Sequence, residues 1–509
     1  MLHIPCNTPF LTFPEFFSTM YFQNVSLCLK VKLLENENSV FVRRADARLF
    51  LSILAAGLLS FTGVVIETAM NVTFPTLMEE FSVGTSTVQW LTTGYLLVLA
   101  TVIPTSSYLK QRFPLKRLFV AGNLLFLTGT ILDGMAGNFF LLLLGRLLQG
   151  AGTGIGLPLM FNLVLEQAPL DKIGTMMGAA MLVCALAPAV GPSLGGWIIG
   201  QFGWRMIFAA LVPGLLFSLG IGLYAIRQSS AWGPRPFDSF GLGCLGLAFT
   251  CLLLLYSYAS GLPAGPLLGL GGLLVLALTI FARQENRLQK AGSTPLLNLQ
   301  VFRVPAFDGA VLGLLLVQFL CLGVGFLLPN YAQLVLGADP FAAGCILLPG
   351  CLVGAALAPV SGRLYDQLGA RKPLLLGSSA IVLSFLFYQF ALGKAGITGF
   401  TAIYAVFTLG QGLSAGNILT YALESLPEEM QPDGNAVCNT LQQLAGAVGT
   451  SVCAALVAAG QRGQELAAGT SQGTAWAFHL LLVLALCQGA SMVWALRVHS
   501  SSFHFGPLQ

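Results

Sequence analysis

Residues 145–158 read Gly145-Arg-Leu-Leu-Gln-Gly-Ala-Gly-Thr-Gly-Ile-Gly-Leu-Pro158, inside an apolar run from about 137 to 160. A helix needs roughly 20 apolar residues to cross a hydrocarbon core, and this run supplies them. An arginine at such depth costs several kcal/mol unless it faces protein, water or a counter-charge. Glycine recurs at 145, 150, 152, 154 and 156, and small residues on one face let helices approach closely. The stretch therefore reads as a packed transmembrane helix carrying one buried cation. A snorkelling arginine on a structural helix is the plain alternative, but Arg146 lies deep for it.

The rest of the chain has the same character. Of 509 residues, 56% are hydrophobic and 9% charged, whereas soluble domains carry about 25% charged residues. So few charges cannot build a water-facing surface, so lipid must be the solvent for most of the chain. The net charge of +4 is too small to suggest nucleic-acid binding. Eleven cysteines, among them Cys184, Cys251, Cys321 and Cys453, stand singly in apolar runs. They read as small hydrophobes, and no metal-ligand or disulfide spacing is present. Four histidines, His3, His479, His499 and His504, give no catalytic centre. Neither a nucleophile–base pair nor a phosphate-binding loop is visible, so an enzyme is not expected, nor a bound cofactor.

Apolar runs recur at about 49–71, 85–106, 115–134, 137–160, 173–200, 205–226, 240–260, 264–282, 306–329, 341–360, 373–392, 398–421, 434–460 and 474–496. They predict an all-α membrane protein with fourteen transmembrane helices. Residues 1–48 mix Phe and Pro with a polar stretch and lack the marks of a signal peptide; they read as a cytoplasmic tail, as do residues 498–509. With both termini inside, only Arg205, Lys394 and Arg462 of the 24 Lys and Arg residues fall on the outer side. This asymmetry fixes the orientation.

The loop Ser107-Tyr-Leu-Lys-Gln-Arg-Phe-Pro-Leu-Lys-Arg117 follows span 2, and Gly362-Arg-Leu-Tyr-Asp-Gln-Leu-Gly-Ala-Arg-Lys372 follows span 10. With spans 7 and 8 set aside as an insertion, these loops are equivalent in two six-helix halves. Duplicated helical halves with a site between them are a recurrent transporter plan. The first loop alone could be a topology anchor. In the second, Asp366 with Arg363, Arg371 and Lys372 can form inter-helix ion pairs that latch one conformation, plain surface charge being the alternative.

Span 1 ends Val65-Ile-Glu-Thr-Ala-Met-Asn-Val-Thr-Phe-Pro75. Glu67 lies about 18 residues beyond Arg48, roughly 27 Å along a helix, in the outer third of the membrane. Asn71 shares its face at i+4. Low dielectric favours the neutral acid and a nearby arginine favours the carboxylate. A carboxyl held between the two can load and release protons near neutral pH; a hydrated interface glutamate is the alternative. Span 5 holds Ala187-Pro-Ala-Val-Gly-Pro-Ser-Leu-Gly-Gly196, whose prolines and glycines suit a hinge or a close approach, or a static kink.

Together these elements resemble the major facilitator superfamily, and within it the 14-span drug:proton antiporter branch, over residues 49–496. Gln89-Trp-Leu-Thr-Thr-Gly-Tyr-Leu-Leu97 with Pro104 is similar to the branch's span 2. The Arg146 stretch resembles its motif B, and Gly191-Pro192 its motif C, which is associated with antiport. Gly203-Trp-Arg-Met-Ile-Phe208 with Pro213, Pro295-Leu-Leu-Asn-Leu299 with Phe302, and Gln442-Gln443 with Gly446 and Gly449 fit spans 6, 9 and 13. Their order and spacing are together highly specific. The departures are Ser107 and Pro114 where the loop motif has glycine, Gln111 at its acidic position, and Ile66 where many members place Asp. One residue turns a helix face by about 100°, so the family's proton site does not carry over to Glu67 by position alone. Lincomycin-resistance exporters resemble this chain in placing Glu four residues before the Asn.

The resemblance implies two six-helix bundles, 49–226 and 306–497, with residues 227–305 forming a linker that carries spans 7 and 8. It implies export of amphiphilic drugs across the cytoplasmic membrane, driven by the proton gradient and performed by a monomer. Glu67 and Arg146 would couple protons. Arg112, Lys116, Arg117, Gly191, Pro192, Gly362, Arg363, Asp366, Gly369 and Arg371 would serve the conformational switch. Asn71, Phe161, Asn162, Gln318, Phe319, Gln411 and Asn417 are candidates to line a substrate site near mid-membrane. A narrow exporter of one metabolite, lipid or peptide would share this skeleton, and a non-transporting membrane sensor would need neither Glu67 nor Arg146.

Overall fold

The structure, a computed structural model, describes residues 46–169, 173–228, 232–233, 237–258, 264–291, 295–427 and 430–502. The tail read from residues 1–48 lies almost wholly outside the described residues, as do Lys172, most of the C-terminal tail and the side chain of Asp366.

The chain forms long helices in unbroken succession: α1 Ala47–Phe81, α2 Trp90–Val102, α3 Leu115–Gly134, α4 Phe139–Gln167, α5 Ile173–Phe202, α6 Arg205–Ala225, α7 Ser239–Tyr258 and α8 Ala264–Lys290. There follow α9 Pro305–Leu334, α10 Leu348–Leu368, α11 Arg371–Ala391, α12 Ile397–Glu424, α13 Gln431–Gln461 and α14 Leu466–Ser502. Short helices Thr85–Val88, Ser106–Arg112 and Pro340–Cys345 flank α2 and precede α10. Among the described residues, 13 helices are long and apolar enough to cross a membrane, and α5, with 30 residues, stands as a further long helix between α4 and α6.

The solvent logic is inverted relative to a soluble protein. Phe140, Phe217, Phe240, Leu268, Val275 and Phe390 face outward. Asn123, Asp133, Arg146, Gln149, Thr153 and Gln488 are buried. Apolar side chains meet lipid at no cost, while polar ones must find partners inside. The protein is a multi-pass membrane protein.

The packing repeats. In the first part, α1 packs on α4, α5 and α6, α2 on α4, and α3 on α4 and α6. In the second part, α9 packs on α12, α13 and α14, α10 on α12, and α11 on α12 and α14. Glycine makes these crossings in equivalent places. A Cβ on Gly150 would strike the Tyr95 carbonyl, and one on Gly152 the Gly122 carbonyl. In the second part, Gly412 meets the Gly354 carbonyl and Gly410 the Gly377 carbonyl. Helices this close need a missing side chain on at least one of them. Helix α7 packs on α2 and α13 across the seam between the parts, and α8 packs on α7.

Several boundaries differ from the sequence expectation, α4, α8 and α14 being longer than their apolar runs, and two differences bear on the site. Helix α1 runs ten residues past the predicted end at 71, through Pro75, to Phe81, where Ser82 in the left-handed region (φ 53°) ends it. Glu67 is therefore near the middle of α1 rather than in its last turns. Pro75 has no N–H, so it frees the Asn71 carbonyl four residues back. That carbonyl accepts from Asn330 Nδ2 of α9 at 3.4 Å, a substitution that lets a membrane helix continue through proline. Predicted span 10 is instead broken into Pro340–Cys345 and α10, because Pro349 in the first turn of α10 cannot donate to the turn before it.

Candidate functional site

Among the described residues, the interior of the first part holds one cation and two acids. Arg146 on α4 is wholly buried. Its Nε donates to the Leu91 carbonyl of α2 at 3.1 Å and its Nη1 to Gln149 Oε1 at 2.5 Å. Its guanidinium lies over the Tyr95 ring, 4.4 Å from the centroid. Planar forks that stack on aromatic faces are what distinguish arginine from lysine. The network continues outward: Gln149 Nε2 donates to Thr130 Oγ1 at 3.1 Å, and the Tyr95 hydroxyl sits 3.0 Å from Thr153 Oγ1 and 3.1 Å from the Gly63 carbonyl. Helices α1, α2, α3 and α4 are thus tied together around Arg146.

Glu67 is 7% exposed. It stands one turn before Asn71, whose carbonyl meets Asn330 of α9, and next to Thr68, which packs against Gly191 of α5. Among the described residues it closes no ion pair with Arg146; the ion pairs found are Lys110 with Glu166, Arg205 with Glu80 and Arg227 with Asp46. The second acid, Asp133 near the end of α3, is wholly buried and was not singled out from the sequence. Its signal was nonetheless there, since an ionisable residue inside a predicted span is a functional candidate by default.

Gly191 and Pro192 on α5 lie beside this site. A Cβ at Gly191 would collide with Thr68 Oγ1, next to Glu67, and the Pro192 carbonyl packs on Gly344. This stretch wedges α1 against the short helix before α10. The two parts also meet through Gln333 Nε2 on the Val72 carbonyl at 3.0 Å, Thr85 Oγ1 on Gln461 Oε1 at 2.8 Å, and Thr93 with Ser451 at 2.8 Å.

The predicted switch residues of the two basic loops, unlike Gly191 and Pro192, stand away from these contacts. Lys116 and Arg117 are exposed, Arg112 is half-buried with its guanidinium over the Phe113 ring, and Lys110 pairs with Glu166 at the end of α4. In the second copy Arg363 and Arg371 are exposed and Gly362 half-buried. Gly369 ends α10 with φ 72°, which explains glycine at that place. Tyr365, unremarked in the sequence, bonds to Glu424 Oε2 at 2.6 Å and joins α10 to α12.

The substrate candidates divide. Gln318 accepts from Gln442 Nε2 at 3.3 Å, and Gln411 Nε2 reaches Cys321 Sγ at 3.1 Å, so α9, α12 and α13 bring amides and a thiol together on the side facing Glu67. Phe319, Phe161 and Asn162 are half-buried. Asn71 is buried with its Oδ1 unpartnered. Asn417 is different: its Nδ2 donates to Ser361 Oγ at 2.7 Å and to the Leu413 carbonyl at 3.0 Å. It joins α10 to α12.

Comparison with known proteins bears on the family and the fold. The Major Facilitator Superfamily profile matches residues 50–450. The lincomycin resistance protein LmrB of Listeria monocytogenes is 34% identical over 417 residues, covering 81% of this chain and 86% of that protein. A multidrug resistance protein B homolog of Mycobacterium tuberculosis is 30% identical over 432 residues, covering 81% and 79%. Among solved structures, a bacterial homologue of the human lysosomal transporter Spinster, inward-facing and unoccupied, superposes with a TM-score of 0.67 at 15% identity, covering 91% of this chain and 100% of that one.

Proposed function

Because the chain belongs to the major facilitator superfamily, we propose that it is a proton-coupled exporter of amphiphilic drugs across the cytoplasmic membrane. The observation that carries this reading is Glu67, a buried carboxyl one turn from the point where α1 meets the second part, in an interior that also holds the wholly buried Arg146. With both termini in the cytoplasm, the hydrogen bonds that join the two parts at Asn71, Val72 and Thr85 lie toward the outer face. That arrangement suits a state closed to the outside.

In the cycle, α1–α6 and α9–α14 rock as two bodies. Outward-facing protein takes a proton on Glu67, the bodies rock, the proton leaves inward, and drug binds the deprotonated form among Gln318, Gln411 and Phe319. Arg146 opposes re-protonation until the site turns. The Gly191-Pro192 wedge and the basic loops at Arg112 and Arg363 are where the bodies would slide. The proton gradient supplies about 1.4 kcal/mol per pH unit and the membrane potential about 2.3 kcal/mol per charge per 100 mV, with no cofactor required. The protein acts as a monomer.

The test is Glu67→Gln in everted vesicles with an acid lumen. Addition of a panel of amphiphilic drugs to wild type releases lumenal protons; the variant reaches the membrane folded and releases none. Drug accumulation by E67Q vesicles at the wild-type level would overturn the assignment. Proton release by a single compound of the panel would favour the narrow exporter.

A further inference from the structure

The foot of the α7–α8 insertion carries two acids that the transport reading leaves unused. Asp238 begins α7: its Oδ1 accepts from the Gly241 N–H at 2.9 Å and from Gln284 Nε2 of α8 at 3.3 Å. Glu285, the next residue of α8, is 1% exposed, and its Oε2 accepts from the Leu297 N–H at 3.3 Å. The other oxygen of each carboxyl, Asp238 Oδ2 and Glu285 Oε1, is shielded from solvent and has no partner. Both face one small space. A Cβ on Gly241 would overlap Asp238 Oδ2 and stand 3.3 Å from Glu285 Oε1, so glycine there leaves the space open. Among the described residues, no ion pair found involves either acid. Arg283, Arg287 and Lys290 of α8 and Arg303 beyond it are exposed. Asp433 of α13 accepts from Asn298 Nδ2 at 2.7 Å. From the first part, Tyr108 lies against Phe237 with ring centroids 4.5 Å apart, and Lys110 is paired with Glu166.

Two carboxylates that share one low-dielectric space do not both ionise without a large cost, and a buried oxygen without a donor is costly too. One proton relieves both: carried by the buried Glu285, it is donated to Asp238 Oδ2. We propose that Asp238 and Glu285 form a proton-binding site separate from Glu67, a clasp that joins the foot of α7 to α8 while it holds one shared proton and opens when that proton leaves. The clasp lies in a line of contacts between the two parts. Before α7, the Gly233 N–H donates to the Gln111 carbonyl of the first basic loop at 2.9 Å, and Phe237 lies on Tyr108. After α8, Gln289 Nε2 donates to Asn298 Oδ1 at 3.0 Å, and Asn298 donates to Asp433 of α13. Helix α7 itself packs on α2 and α13. Closed, the clasp makes α7–α8 a strap across the seam. Ionised, its two carboxylates repel and free the foot of α7. The site does not depend on the role proposed for Glu67.

Glu285→Gln keeps the shape and replaces the proton by an amide that donates to Asp238 at any pH. Spin labels on Phe240→Cys and Arg287→Cys, both exposed positions, report the distance between α7 and α8 in purified full-length protein freed of its 11 native cysteines. With Asp238 and Glu285 intact, one narrow distance in acid and neutral buffer should give way to a longer, broader one in alkaline buffer. With E285Q the narrow distance should persist throughout. A distance that ignores pH while both acids are present would overturn the proposal, as would an E285Q protein that follows pH as its parent does. A second measurement needs no labels: in infrared spectra at neutral pH, E285Q should lose one residue's share of the protonated-carboxyl band. An undiminished band overturns the proposal even if the labelled protein fails to fold.

Discussion

Removing the amides of Asn330 and Gln333 should loosen the contact between α1 and α9. Gln333 Nε2 donates to the Val72 carbonyl at 3.0 Å and Asn330 Nδ2 to the Asn71 carbonyl at 3.4 Å. The second acceptor has no donor within its own helix, since Pro75 stands four residues on. One such bond contributes about 0.5–1.5 kcal/mol net, and the longer one belongs at the low end. The double variant Asn330→Ala, Gln333→Ala therefore loses about 1–2 kcal/mol from the state in which the parts are joined, a factor of about 5–30 in a two-state equilibrium. The assay is alkylation of a reporter, Thr68→Cys, in a background freed of the 11 native cysteines. Thr68 is buried beside Gly191 in the joined state. A membrane-impermeant maleimide applied to intact cells should label it about 5–30 times faster in the double variant. An unchanged rate in folded protein would refute the idea that these amides hold the parts together. Acceleration only in everted vesicles would refute the assignment of this end to the outer face.

Two further outcomes follow from packing and charge. Gly152→Ala places a Cβ 2.6 Å from the Gly122 carbonyl and 2.8 Å from Phe126 Cβ, an overpacking worth about 1–3 kcal/mol; its melting temperature in detergent should drop, while Gly200→Ala, which meets nothing within 4 Å, should melt as wild type does. Arg146→Lys keeps the charge but cannot hold Leu91, Gln149 and the Tyr95 face at once, so at equal membrane abundance drug efflux should fall about tenfold or more, the loss of one charge-assisted hydrogen bond of about 1.5–3 kcal/mol; wild-type efflux would contradict the fork geometry.

The sequence alone was enough for the solvent, the helices and their order. Hydropathy is a local property, and crossing lipid demands that each segment satisfy its own backbone, so fourteen apolar runs translate directly into helices. Charge asymmetry and the paired loops at Ser107 and Gly362 came from the same one-dimensional reading. Arg146 was legible too, because a lone cation in an apolar run is conspicuous whatever surrounds it.

Which side chain meets which was decided only by the tertiary structure. Arg146 donates to the carbonyl of Leu91, on another helix, and the Asn71 carbonyl accepts from Asn330 in the other part of the chain. Helix α1 passes Pro75 because α9 supplies the missing donor, which no window of local sequence contains. That Asn417 braces α10 against α12 through Ser361 is hidden from the sequence for the same reason. Asp133 sat unnoticed at the end of a run until packing put it on Gly145. Composition and period say that a polar group is inside the membrane; only the way helices rotate and cross says what it finds there.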